Sequence, residues 1–397
     1  MFGVLLASYV MNAMDRQLFP LLAPDVRREY GFSLANIGLV STIFTLGMAV
    51  AGLPTGFLLA RYSRKGVLQL GVAIFSAGTV LTVLSAGLAD MILYRASTGI
   101  GEAMQLTVLI TIAANYFSRH RAAAVGSINF CFGIGAMASP ILGGVLLNTY
   151  RSWRVPMILF GLGGFLLIAV IALVVHPWFT EMSTETQTDG QNRANLSGAA
   201  TLLNRNTVLL TFLSLIGGLV IYGYLGMYPT FLREGLNYSP TVAGTVMSTF
   251  GLGALASIGG GWLGDRFSPR LLLSATFFCT AVLGYLLFHG SEAFVAQAIL
   301  SSFWGLVASS ILYVNLAAYH VKAVRSNLSG RASGIFVTSL YASSAVAGYS
   351  MGWIAGYAGW ARAGEIQLSL LSLVGGGLAL ALRPDQMSLP GTAQPGR

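Results

Sequence analysis

Twelve apolar stretches, each about long enough to cross a bilayer, follow one another along this chain at 2–23, 34–60, 67–88, 92–117, 122–147, 155–177, 207–231, 241–264, 271–289, 293–320, 332–357 and 364–382. A helix needs roughly 20 residues to cross about 30 Å of hydrocarbon, and inside lipid each backbone N–H and C=O must be satisfied within its own segment. Runs of this length therefore predict an all-α membrane protein with twelve transmembrane helices. Composition agrees, with 55% hydrophobic and only 9% charged residues, against about 25% charged in soluble domains. The 49 glycines among 397 residues suit helices that approach backbone to backbone in lipid. The apolar start lacks a basic leader region and an A-x-A-like cleavage site, so it reads as the first span. Breaks are expected at turn chemistry, from Pro24 to Ser33, at Ala89-Asp90, from Asn148 to Arg154, from Asn237 to Pro240 and at Gly290-Ser291.

A single long polar stretch, 178–206, reads as a linker and divides the spans into six and six. The expected organisation is a six-helix bundle over 1–177, a cytoplasmic linker over 178–206, a second bundle over 207–382 and a tail over 383–397. If the N-terminus is cytoplasmic, fourteen of the 22 Lys and Arg fall in the loops and tail on that side, six on the other, and Arg16 and Arg95 inside spans. That bias places both termini in the cytoplasm and the protein in the plasma (inner) membrane. The net charge of +9 comes from short loops, with no aromatic-interleaved basic patch, which excludes a nucleic-acid partner. Cys131 and Cys279 sit in apolar spans and read as buried small hydrophobes. His120, His176, His289 and His320 lie in loops or near span ends and read as solvated. No His/Cys/Asp/Glu group has metal-ligand spacing, and no cofactor is expected.

Within the spans, acidic residues are rare: of thirteen Asp and Glu only Asp15, in the first, and Glu102, in the fourth, lie inside apolar stretches. Each has an intramembrane arginine nearby, Arg16 and Arg95. A charge at the bilayer centre costs about 2.5–3.5 kcal/mol on insertion scales, so intramembrane ionisable groups mark function by default. Arg95 and Glu102, seven residues apart, share one helix face about 10 Å apart along the axis. The two acids and two arginines sum to zero and become positive when either acid is protonated. A structural alternative is an ion-pair network that only holds helices together; against it, such pairs are replaceable by apolar packing at little loss. Gln17, Gln105, Tyr224, Asn315 and Tyr341, with Thr107, Tyr222, Tyr228, Tyr313 and Tyr319, are further cavity candidates.

The chain also repeats itself. Gly56-Phe57-Leu58-Leu59-Ala60-Arg61-Tyr62-Ser63-Arg64-Lys65 recurs 205 positions later as Gly261-Trp262-Leu263-Gly264-Asp265-Arg266-Phe267-Ser268-Pro269-Arg270. This block resembles the G-x-L-a-D-R-x-G-R-K loop motif of the major facilitator superfamily, and Arg95 to Gly101 resembles its fourth-span R-x-x-x-G-x-G pattern. The first loop copy departs from the family with Ala60 in place of aspartate, while the second keeps Asp265. Asn12-Ala13-Met14-Asp15-Arg16-Gln17, Gly101-Glu102-Ala103 and Pro229 to Arg233 are similar to the anion/cation symporter branch, which moves sugar acids with protons; spinster-like lysolipid transporters share part of the pattern. Gly135 to Gly144 partly matches a drug/proton antiporter signature, with Ser139 in place of its second glycine.

The resemblance implies a proton-coupled secondary transporter, not an enzyme, importing a small organic anion such as a sugar acid by alternating access. A drug/proton antiporter and a spinster-like lysolipid carrier are the alternatives. In that reading Asp15 is the principal proton site, Glu102 is a second one or an acceptor for substrate hydroxyls, and Arg16, Arg95, Gln17, Gln105, Tyr224, Asn315 and Tyr341 bind substrate. The loop motif, through Gly56, Arg61, Arg64, Gly261, Asp265 and Arg266, braces the two halves on the cytoplasmic side. Expected partners are the anion, protons and the lipid bilayer, with the chain as a monomer. An acid whose arginine contact comes and goes binds and releases protons, because burial favours the neutral carboxyl and a guanidinium favours the ionised one.

Overall fold

Long apolar runs separated by Gly, Pro and Asx residues fold here into helices joined by short turns. The structure, a computed structural model, describes residues 1–117, 121–181 and 198–388. Arg119, His120, most of the expected linker with Arg193, and the end of the tail with Arg397 lie outside the described residues. The helices are α1 (Phe2–Tyr30), α2 (Leu34–Thr42), α3 (Phe44–Val50), α4 (Gly52–Arg61), α5 (Arg64–Thr82), α6 (Leu88–Tyr116), α7 (Arg121–Tyr150), α8 (Arg154–Val174), α9 (Pro177–Thr180), α10 (Arg205–Thr230), α11 (Pro240–Ala254), α12 (Ser257–Arg266), α13 (Pro269–His289), α14 (Phe294–Trp304), α15 (Val314–Lys322), α16 (Ser329–Ala358), α17 (Trp360–Ala363) and α18 (Leu371–Ala379). Wider π-helical turns at Phe231–Gly235, Gly305–Tyr313 and Gly364–Leu370 continue α10, join α14 to α15 and join α17 to α18.

Every expected span coincides with one helix or with abutting helical segments. Among the described residues, seven helices are long and apolar enough to cross a membrane by themselves, and nine if the bent pairs α2–α4 and α11–α12 each count as one span. The second of these pairs is bent by 41°. Helix α1 falls outside the count because Asn12, Asp15, Arg16 and Gln17 dilute its hydropathy. Large apolar side chains face outward along the rods, among them Leu84, Leu166, Leu173, Ile258 and Leu271. Helices of that surface cannot be solvated by water without penalty, and they match a hydrocarbon solvent. The protein is a multi-pass membrane protein.

Four expectations are corrected. The break expected at Ala89-Asp90 falls at 83–87 instead, where Gly87 precedes α6, and both residues lie in the first turn of that helix. The first break was placed from Pro24, but α1 continues to Tyr30 with Pro20 and Pro24 inside it, a tolerance membrane helices have because neighbours satisfy the freed carbonyls. It ends at Gly31, whose φ of 65° is the left-handed C-cap conformation that favours glycine. His320 is fully buried, its Nδ1 2.8 Å from the Leu316 carbonyl and its ring beside Phe336. Cys279 is exposed on the outer face of α13, while Cys131 is buried as expected.

Packing ties the two halves of the chain together at one end. At the end away from Met1, α2 lies on α16 and α7 on α11 with backbones nearly touching. A Cβ on Gly38 would stand 2.0 Å from the Gly348 carbonyl oxygen, so only glycine permits this approach. Thr42 Oγ1 bridges the same contact, donating to Ala345 O at 3.0 Å and accepting from Gly348 N at 3.2 Å. Ion pairs close the rim: Arg27 to Glu234 at 3.0 Å, and Arg233 to Asp25.

Candidate functional site

The buried core of the N-terminal half is split into two apolar clusters. One contains Leu5, Tyr9, Val72, Phe75, Met104 and Val108. The other contains Leu18, Phe19, Leu22, Val83, Met91 and Phe160. Between them, where α1, α5 and α6 meet, lies a charged layer. Asp15 Oδ2 is 3.6 Å from Arg95 Nη1, and Glu102 Oε2 is 3.0 Å from Arg16 Nε. None of the four side chains is more than 5% exposed. Helical periodicity creates the arrangement: adjacent residues Asp15 and Arg16 point to different neighbours, and the seven-residue spacing of Arg95 and Glu102 presents both to α1.

Polar groups around the layer hold it in place. Thr79 Oγ1 donates to Asp15 Oδ1 at 2.7 Å. Asn12 Nδ2 donates to the Glu102 carbonyl at 3.2 Å and to Gln105 Oε1 at 2.8 Å, and Gln105 Nε2 donates to Ser8 Oγ at 2.9 Å. The Arg95 guanidinium sits 5.0 Å from the Phe19 ring centroid and 5.4 Å from that of Phe44, within cation–π range. Beyond the ion-pair contacts, both arginines keep buried N–H groups without a hydrogen-bond partner, Nη2 of Arg16 and all three guanidinium nitrogens of Arg95 among them.

Beside Arg16 a cavity of about 150 Å³ separates the halves. Its walls include Tyr9 of α1, Leu106 and Ile110 of α6, Asn129 and Phe132 of α7, Tyr222 of α10, Phe250 of α11, Ser309 and Tyr313 of the π-helical turn and Tyr341 of α16. Ile110 and Asn129 are exposed and form its mouth. The cavity opens toward the face that carries Met1, and the inter-half contacts described above close it at the other end. A smaller recess, lined by Arg16, Gln17, Ser41, Phe44 and Tyr222, continues from Arg16 toward the closed end. Tyr313 Oη and Tyr341 Oη are 3.1 Å apart.

Of the residues expected from the sequence, Arg16, Tyr222, Tyr313 and Tyr341 reach the cavity and Gln17 reaches the recess. Asp15, Glu102, Arg95 and Gln105 stand behind Arg16 in the charged layer. Tyr224 lies within an aromatic stack with Tyr228 and Trp304, its hydroxyl 2.7 Å from Ser301 Oγ. Asn315 donates to the carbonyls of Gly260 and Ile311, both at 2.9 Å, and so braces α15 against α12. Tyr9, Phe132, Thr79 and Asn12 were not assigned roles from the sequence; an amide in the first span was an available signal for Asn12 alone.

The repeated loops make contacts within their own halves. In the first copy the N-terminus of α5 is met by Glu181, which accepts from Arg64 N and Lys65 N, both at 3.1 Å, while Arg64 Nη1 donates to the Thr180 carbonyl. An acid at a helix N-terminus stabilises the exposed N–H groups there, so Glu181 supplies a carboxylate to a loop that has Ala60. In the second copy Asp265 pairs with Lys322 at 2.7 Å, and the Arg266 guanidinium lies over Trp262. Gly56 and Gly261 lie on α4 and α12, and Arg61 ends α4.

Known proteins resemble the chain in sequence and in fold. The chain is 21% identical to the 4-hydroxybenzoate transporter PcaK of Pseudomonas putida over 69% of its own length and 68% of that protein's. It is 24% identical to the hexuronate transporter of Bacillus subtilis (strain 168) over 79% and 74%. The fold matches the crystal structure of a bacterial homolog of the human lysosomal transporter Spinster, in an inward-facing and occupied conformation, with a TM-score of 0.74, 16% identity and 95% of each chain covered. The model of the Major Facilitator Superfamily matches residues 5–349. A helical membrane fold with this cavity, and a family match across most of its length, make the chain a member of the Major Facilitator Superfamily of transporters.

Proposed function

We propose that the protein is a proton-coupled symporter that imports a small organic anion by alternating access between six-helix bundles at 1–177 and 207–382. The observation that carries this reading is that Arg16, the one charged residue bordering the cavity among the described residues, is held by a buried acid, Glu102. With Glu102 ionised, the guanidinium is neutralised from within the protein. Protonating Glu102 removes that partner and leaves Arg16 free to take a substrate carboxylate, for which its planar fork is suited. A proton and an anion thus enter together and the layer returns to zero charge, which avoids an uncompensated buried ion. Asp15, paired with Arg95 and bonded to Thr79, serves as the second proton site of the same layer.

The relatives named for 4-hydroxybenzoate and hexuronate support an anionic cargo. With both termini cytoplasmic, as the distribution of Lys and Arg supports, the cavity mouth faces inward, and this is the releasing state in the inner membrane. Import then requires the closed rim, with Asp25–Arg233 and Arg27–Glu234, to part as the bundles rock about the midplane site. Reconstituted vesicles with an inward proton gradient test the coupling, using radiolabelled benzoate and glucuronate as probes. Wild type accumulates at least one of them against its gradient, and Glu102→Gln loses accumulation roughly tenfold or more because anion binding is no longer linked to a proton. Undiminished gradient-driven accumulation in both Glu102→Gln and Asp15→Asn would overturn the assignment.

A further inference from the structure

We infer that the cargo is a monocarboxylate borne on a single planar aromatic ring with few hydroxyls; this rests on the organic-anion reading above and narrows it. The cavity measures about 150 Å³, the size of an engineered apolar cavity known to accept one benzene molecule. Six aromatic side chains line it, Tyr9, Phe132, Tyr222, Phe250, Tyr313 and Tyr341, and rings favour offset or edge-on contact with another ring. At its inner end Arg16 lines the wall, and its guanidinium is where the carboxylate would sit. Among the described residues Arg16 is also the one charged side chain in the wall, so a second negative charge on the ligand would be buried without a counter-ion.

Besides Arg16, the polar groups of the wall are Asn129 at the mouth and the hydroxyls of Ser257, Ser309, Tyr9, Tyr222, Tyr313 and Tyr341, and those of Tyr313 and Tyr341 bond each other. Ile221, Leu225, Ala254 and Val314 offer no partner, so each hydroxyl of a polyhydroxylated acid that meets them stays unpaired at a desolvation cost. The acyl chain of a lysolipid needs several times the observed volume.

Calorimetric titration of the purified full-length protein in detergent at pH 5.5 tests this, with benzoate, benzamide, cyclohexanecarboxylate, glucuronate and a lysophosphatidylglycerol as probes. Benzoate is expected to bind roughly tenfold or more tightly than cyclohexanecarboxylate and glucuronate, benzamide not at all, and Phe132→Ala to narrow the gap between the two ring acids. Tighter binding of glucuronate than of benzoate, or equal binding of the two ring acids, would overturn the aromatic assignment and leave the organic-anion reading standing. Binding of the lysolipid alone, or equal binding of benzamide and benzoate, would overturn both.

Discussion

Thr79 donates its only hydroxyl proton to the buried Asp15 carboxylate, and hydrogen bonds of this kind contribute most where an acceptor is charged and buried. Thr79→Val leaves Asp15 Oδ1 without its donor and is expected to destabilise the protein by about 1–3 kcal/mol, read as a lower melting temperature in detergent; an unchanged melt would show that the bond is not holding the layer. Truncating Arg95 to Ala is expected to cost more, about 3–5 kcal/mol, because an acid then lies buried without a counter-charge. Asp15, Arg16, Arg95 and Glu102 were legible in the sequence because ionised groups inside apolar spans are rare. Thr79 and Tyr9 were not, since hydroxyls and tyrosines are common in membrane helices and only the fold shows which of them meets a charge. Tyr224 and Asn315 looked equally promising as letters, yet the Tyr224 hydroxyl is taken up by Ser301 and the Asn315 amide nitrogen by the Gly260 and Ile311 carbonyls.

Helices α2 and α16, α7 and α11, and the ends of α1 and α10 make the closed rim, and their contacts combine glycine approach with cross-half charge pairs. Gly348→Val places branched carbon against the Gly38 carbonyl and is expected to part this end, raising alkylation by a thiol reagent at a cysteine introduced at Ala345; unchanged labelling would mean that the helices repack around the added group. Exchanging the charges of Asp25 and Arg233 singly is expected to raise the same labelling and exchanging both to restore it. At the end of α1, Glu29 is held below the usual carboxylate range by the hydrogen bond from Arg154, with Trp153 Nε1 adding a second. A lowered folded value means that its contribution is present above the ordinary value of about 4.3 and is lost as pH falls through the folded one. The melting gap between wild type and Glu29→Gln should therefore be small at pH 7, as for any exposed pair, and vanish toward pH 3. The positions of these rods were legible from apolar run length, whereas the passage of α1 through Pro24 and the π-helical turns were not, because both depend on neighbours that satisfy displaced backbone groups.

Across the whole molecule the two halves carry different chemistry. The N-terminal half buries all four intramembrane charges, and the C-terminal half gives the cavity Tyr222, Phe250, Tyr313 and Tyr341. The division into charged and aromatic halves was legible as an absence of midplane charge after residue 206; which aromatic residues face the cavity was not, since ring residues in a sequence look alike whether they pack or line. In the symport we propose, coupling belongs to the pair of halves around the shared cavity: the anion would reach Arg16 only when the acid behind it has given up its charge. Counting protons taken up per molecule of benzoate bound, with purified protein in weakly buffered solution near neutral pH, tests that statement most directly. About one proton per benzoate is expected for wild type and close to none for Glu102→Gln; benzoate binding with no proton uptake in wild type, or with the same uptake in the variant, would contradict it.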